Sequence, residues 1–469
     1  MSRRGMGAAT LALVLVLGGP GVRSQEKPRS GLRPTLVLLA SGLPDAGASL
    51  DAVRRFTATA LRDLKESGAF HLLDAGEPRD GDADSLGFWR KAGANLLVRF
   101  ASRSLAQGRL LIESELINLE TGAVVLKKSY MGETAASTRM AHRMSDFVVG
   151  KVTGTQGVAD STIVVARATG PGLQEIFGLD RDGRSPRQLT FFNSLTTRPA
   201  LAADGRLAFV TYKGGPPQIW GQLRPQDRFQ RLFPAEGAPG LELSGLAWSP
   251  DGTRLCFVQE DRKGQAAIHL LDLRSGRTVQ LTGTGHSSSC PSWSPDGAEL
   301  AFLSDQGGTP QVYRMASDGS RVRQLTSDPG AKTCVAWNAQ GDRIGYAAAA
   351  DGGTGLFIMS ADGTGRQKLA ASAEPLESLC WAPDGRWLLF GLRAADGARL
   401  RVAGLDGKVR DLGDGPGGGQ FPQWAQNPVP VAALAQPAQL SASPPGMRGT
   451  DRPVPTFPGP AHGGAALSP

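Results

Sequence analysis

From residue 161 onward, the apolar positions fall into short runs separated by turn residues. Leu300-Ala301-Phe302-Leu303 is apolar at every position, so a strand there must be covered on both faces. It is preceded by Trp293 and the turn Pro295-Asp296-Gly297. Here Pro fixes φ at the first corner, Asp caps locally and Gly accepts positive φ. A second strand (Gln311–Met315), another Asp-Gly turn (Asp318-Gly319) and a short strand ending Arg323-Gln324-Leu325-Thr326 follow. The same sentence recurs: PSWSPDGAELAFLS (291–304), LAWSPDGTRLCFVQ (246–259), LCWAPDGRWLLFGL (379–392) and, more loosely, VAWNAQGDRIGYAA (335–348).

Aligned on the aromatic residue, Trp248, Trp293, Trp337, Trp381 and Trp424 recur about every 44 residues, and PALAADGRLAFVT places Leu201 in the same position one repeat earlier. That period and four antiparallel strands per copy describe propeller blades, whose two apolar faces are buried by stacking around an axis. After Trp424 the series stops. Its missing pieces stand at the other end of the region: STIVVARA (161–168), QEIFGLDRDG (174–183) and RQLT (187–190). The spacing predicts six blades over 161–426, with the last one split: its inner strand comes from 421–425 and its other three from 161–190. Such a splice leaves no open sheet edge.

Residues 33–153 carry a different pattern. Thr35–Ala40, Phe70–Leu73 and Ala94–Ala101 read as strands, and Leu110–Leu119 with Ala123–Tyr130 as a hairpin. Leu50, Val53, Phe56, Ala60, Leu61 and Leu64 share one helical face, stopped by Gly68. Leu86–Ala92 is helical by the same reading, and Ser137–Val152 presents Met140, Met144, Phe147, Val148 and Val152 on one face. The expectation is a small α/β domain, with helices on one side of a mixed sheet, joined to the ring by about eight residues (153–160). The fold class is α+β: this domain followed by an all-β six-bladed propeller.

The termini change the picture in two ways. Arg3 and Arg4, an apolar run from Ala8 to Leu17 and the breakers Gly18 to Gly21 read as a secretory signal over 1–24, too short to span a bilayer. Residues 427–469 are rich in Pro, Ala, Gly and Ser, and ten of them are proline. Such a tail cannot bury enough apolar area to offset ordering, and is expected to be disordered. The net charge of +8, from 51 basic and 43 acidic residues, is interspersed and gives no footprint for nucleic acid.

Candidate chemistry is sparse. The five histidines (His71, His142, His269, His286 and His462) show no zinc-ligand spacing, and neither a nucleophile elbow nor a phosphate-binding loop is present. No catalytic residue, metal or cofactor is expected. Asp204, Asp251, Asp296 and Asp384 of the repeated turns, with Asp342 one place displaced, are spread around a ring and read as turn caps. The tryptophans read as packing between blades. Cys290 and Cys334 hold equivalent places in neighbouring repeats, and in an exported chain they either pair or remain adjacent buried thiols.

These residues resemble the TolB family of the periplasmic Tol-Pal system. Beyond the repeats, the likeness lies in LRDLKESGAFHLLD (61–74), WRKAGANLLVRF (89–100), ELINLETGAVVLKKSY (115–130) and STIVVARATG (161–170), within about residues 33–426. The resemblance implies a periplasmic, monomeric scaffold rather than an enzyme. Such a scaffold docks the peptidoglycan-associated lipoprotein Pal on the face around the channel mouth and contacts TolA through a flexible N-terminus. The assembly serves outer-membrane integrity and constriction during cell division, associating with the membrane through its partners. Here Gln25 to Arg33 is short and basic and has no clear match to the family's TolA-binding stretch.

The Pal-contacting loops of the family precede each anchor. In this chain they correspond to about 191–198, 236–245, 283–290, 327–334, 371–378 and 413–420. Carried over by distance from the anchor, the contacts fall on Glu242 before Trp248 and Ser289 before Trp293. His286, Ser287, Ser288, Lys332 and Thr333 are their neighbours. The alternative is an exported propeller enzyme, or a peptidase-type propeller lacking its hydrolase domain.

Overall fold

The computed structural model describes residues 33–41, 48–73, 86–183, 185–234, 242–350, 352–395, 397–413 and 419–426. The expected signal over 1–24 and the expected disordered tail over 427–469 lie outside the described residues, as do parts of the predicted loops.

The N-terminal domain contains β1 (Thr35–Ser41), α1 (Ala48–Glu66), β2 (His71–Leu72), α2 (Leu86–Lys91), β3 (Leu96–Leu105), β4 (Arg109–Asn118), β5 (Val124–Glu133) and α3 (Ser137–Thr153). The sheet order is β2-β1-β3-β4-β5, with β1 parallel to both its neighbours and the rest antiparallel. Alternation along β1 and β3 divides their side chains between two cores. Leu36, Ala40, Val98 and Phe100 pack with Val53, Phe56 and Leu64 of α1 and Met140, Met144 and Val148 of α3. Val37, Leu39 and Leu97 pack with Trp89 of α2. Helices therefore cover both faces, not one. The six residues of α2 are too few to show a helical stripe, but the buried Trp89 supplies the apolar area that holds it on the second face.

Six four-stranded sheets follow, each antiparallel throughout. Five are continuous in sequence, and the sixth has the order 420–425, 162–170, 173–180, 187–188. The split blade is thus as the repeats predict: Gln423 pairs with Val164 and Trp424 with Ile163. The second strands are closed on both faces; Leu300 and Ala301 are fully buried, as are Leu388 and Leu389 two blades further around the ring.

The repeated residues have the expected structural work. At the first turn of the third blade, Ser294 Oγ donates to Asp296 Oδ1 (2.5 Å), the Ala298 amide donates to the same oxygen (3.0 Å), and Gly297 takes φ 70°. The Asp251 turn repeats this pattern. The carboxyls of Asp251 and Asp296 lie below the usual carboxylate range because these hydroxyls and amides stabilise the anion. The fourth strand is only two or three residues long in three blades. The Gln and Thr side chains of its motif complete it: Gln324 Nε2 donates to the Thr326 carbonyl (2.7 Å), while Thr326 Oγ1 accepts from the Val312 amide (2.9 Å).

Anchor tryptophans stitch neighbouring blades. Trp248, Trp293 and Trp381 donate their indole N–H to the carbonyls of Ala200, Ala247 and Ala336, each one place before the previous anchor (3.0–3.1 Å). Trp337 instead bonds Gly341 in its own blade, and its backbone amide reaches across to Ser292 Oγ (2.9 Å). All four cysteines are free thiols, so Cys290 and Cys334 are not bridged; Cys334 is buried and Cys290 half-buried.

Candidate docking face

The inner strands surround a channel of about 660 Å³. Its two ends differ because the N-terminal domain packs against turns of the fifth and split blades at one of them. At that end Arg181 pairs with Glu66, Arg62 lies 3.7 Å from Asp182, and Arg386 Nη1 donates to the Ser67 carbonyl (3.1 Å). Gln426, just past the end of the split blade's inner strand, donates to Asp146 Oδ2 of α3 (3.4 Å). The connector lies against α3, with Ala159 and Asp160 amides on the Asp146 carboxylate (2.6 and 2.9 Å). Gly157 permits this approach, since a Cβ there would lie 2.5 Å from the Asp146 Cα. The inner strands run away from the other mouth, and six residues of strand put the two ends about 20 Å apart.

The residues picked out in sequence cluster at that other, uncovered end. They sit differently from the loops expected for them. Glu242 opens the strand Glu242–Trp248, Ser288 and Ser289 the strand Ser288–Trp293, and Lys332 and Thr333 the strand Lys332–Trp337. The predicted loops therefore end one to four residues too late; each inner strand carries a β-bulge near its start that conceals its alternation. Glu242 is exposed and accepts a hydrogen bond from Tyr212 (2.5 Å), which, with burial, pushes the tyrosine's pKa up. Ser289 lines the channel. His286 is exposed, 4.0 Å from Asp305, whose Oδ1 accepts the Ser287 amide (2.8 Å). Thr333 is exposed and bonds the Leu376 carbonyl of the next blade (3.4 Å).

Two of the seven are not surface groups. Ser288 is buried, its Oγ facing Ser304 Oγ at 3.4 Å. Lys332 has a fully buried side chain; its Nζ donates to Asp328 Oδ2 (2.9 Å) and to the carbonyls of Asp328 (3.0 Å) and Gly330 (2.8 Å). It clamps its own loop. A lysine in a polar stretch reads as solvated until its acceptors are known, so only the three-dimensional structure reveals this role.

The bulges divide the six blades into two classes. In four, two residues of the inner strand oppose one of its neighbour, and the first of the two is left-handed: Arg198 (φ 50°), Gly245 (58°), Cys290 (51°) and Phe421 (52°). In the other two the extra residue is Thr333 or Glu377, with no left-handed turn. This ring brings in residues the sequence reading missed. Arg198, Glu377 and Phe421 line the channel, with the Arg198 guanidinium 4.5 Å from the centre of the Phe421 ring. Glu377 pairs with Arg393. The signal was available: three of the four left-handed residues precede proline three places before the anchor, at Arg198-Pro199, Cys290-Pro291 and Phe421-Pro422.

Residues 149–427 match the family model of the TolB beta propeller domain. The chain belongs to the TolB propeller family. The Tol-Pal system protein TolB of Anaeromyxobacter dehalogenans strain 2CP-1 is 31% identical over 278 residues, covering 55% of this chain and 59% of that protein. The same protein of Anaeromyxobacter sp. strain K is 31% identical over 276 residues, with the same coverage. The chain thus matches rather more than half the length of these TolB relatives. The crystal structure of TolB from Acinetobacter baumannii shares the fold, with a TM-score of 0.68, 21% identity, and coverage of 84% of this chain and 96% of that one. The TolB likeness in fold therefore takes in the N-terminal domain as well as the ring.

Proposed function

We propose that this chain is a periplasmic scaffold of the Tol-Pal system, binding the lipoprotein Pal at the uncovered channel mouth and linking it to TolA. In this role it maintains outer-membrane integrity and constriction during cell division. The observation that carries the reading is the asymmetry of the channel. One end is flanked by α1, α3 and the connector through Glu66, Ser67 and Asp146, while at the other Glu242 and Thr333 are exposed and Ser289 lines the channel. A partner docking there meets a rigid rim, because each of these residues stands on a paired strand rather than a loop tip.

Family membership supports a scaffold over an enzyme. The test is a pull-down of the purified chain against a periplasmic and membrane extract, with crosslinking in cells. Recovery of a peptidoglycan-bound lipoprotein through the Glu242 face supports the proposal. Hydrolysis of a peptide or glycan substrate, abolished by a point change in the channel mouth, would replace it with the exported propeller enzyme.

A further inference from the structure

Among the described residues, Arg198 is the cation that lines the channel. It stands on the innermost strand of the first blade, and its side chain enters the channel to lie over Phe421 of the split blade. No described residue accepts a hydrogen bond from it or pairs with it within ion-pair distance; its described partner is the aromatic ring. The carboxylates nearest in charge are Glu242 and Glu377, and both are engaged elsewhere, by Tyr212 and Arg393. A guanidinium with five N–H donors is therefore held on an aromatic platform in the channel wall. Burial pulls it below its ordinary pKa, and the two glutamates work against that pull. An incoming anion would relieve the same desolvation.

We infer that Arg198 is a carboxylate-binding residue, receiving an acidic side chain of the polypeptide that docks on the open mouth. This rests on the docking reading above and names its chemistry. Charge selects the ligand. The negative charges of Glu242 and Glu377, which act on the guanidinium without contacting it, repel a dianion such as phosphate more than a singly charged carboxylate, which also matches the planar guanidinium fork. The walls select a polypeptide. Every inner strand is paired on one side only; at its other edge some backbone groups, among them the Ala200, Ala247 and Ala336 carbonyls and the Trp337 amide, bond the neighbouring blade, and what remains is open to the channel. The left-handed backbone at Arg198 and its fixed neighbour Pro199 set the direction of the side chain before any ligand arrives.

Two measurements on the full chain test this. The first follows arginine Nε–Hε resonances during titration with acetyl-Gly-Glu-Gly-amide, its Gln counterpart and inorganic phosphate, the Arg198 signal being the one lost in Arg198→Gln. A saturable shift with the Glu peptide and none with the Gln peptide is expected. No shift, an equal shift with Gln, or a stronger response to phosphate overturns the assignment. The second measures the soluble domain of the lipoprotein by calorimetry. Arg198→Gln should bind about 10- to 100-fold more weakly at unchanged Tm, with Arg198→Lys in between. Equal affinity in Arg198→Gln overturns the inference. If the wild-type chain binds no lipoprotein, the proposed partner fails, and the peptide titration still decides Arg198.

Discussion

The indole N–H of Trp424 donates to Ser161 Oγ across 2.7 Å, joining residues 263 positions apart in the chain. Beside it Trp424 pairs in register with Ile163. The split blade is therefore held by side chain as well as backbone, at the point where the ring shuts.

Trp424→Phe keeps the ring and removes the bond, and should cost about 1–2 kcal/mol. Trp424→Ala also leaves a void between blades and should cost about 3–5 kcal/mol. Urea denaturation reads both. If Trp424→Ala is no less stable than Trp424→Phe, the ring does not depend on this seam.

Lys332 is a folding residue despite its place near the docking rim. Lys332→Ala removes one of the two cations on the Asp328 carboxylate, which keeps Arg366, and leaves two loop carbonyls without the Nζ they now share. A loss of about 1–3 kcal/mol is expected, read as a lower Tm with or without a partner. An unchanged Tm would mean that the ammonium is dispensable and that its loop is held by other contacts.

Glu242→Lys and Ser289→Trp should weaken lipoprotein binding with little change in Tm. Glu242 is exposed at the start of its strand and Ser289 faces the channel, so neither substitution opens a core. Binding isotherms and melting curves on the same samples separate the two effects. Full affinity in both variants places the partner on another face.

Asp146 sets a pH dependence for the seat of the N-terminal domain. Burial raises its pKa to about 6, with the Asp160 and Asp63 charges acting in the same direction, although two backbone amides oppose the shift. In the unfolded chain it titrates near its ordinary value of 3.8. Between about pH 4 and 6 the folded form therefore holds a proton that the unfolded form has released. This group's contribution is fully favourable below about 4 and is lost as the pH rises through 6. Asp146→Asn should flatten the stability profile over that window. A slope identical to wild type in chemical denaturation from pH 4.5 to 7.5 would exclude Asp146 as its source.

The ring was legible because each blade repeats turn chemistry that has few alternatives. Trp, Pro-Asp-Gly and a fully apolar strand recur at one spacing, and even the splice at residues 161–190 could be read from its QLT ending. The position of α2 was not legible, since one tryptophan on a six-residue helix gives no period. Strand starts were missed for a related reason: a bulge shifts the alternation by one place, so Glu242, Ser289 and Thr333 read as loop. Arg198 escaped because its neighbours come from blades far apart in sequence, Phe421 above all.

The two kinds of bulge have a consequence for assembly. A wheel of equal spokes would let a visitor settle in any of six orientations, none preferred. Here four spokes kink one way and the two carrying Thr333 and Glu377 kink another, side by side. The hub is keyed: its six positions are not equivalent to whatever enters it.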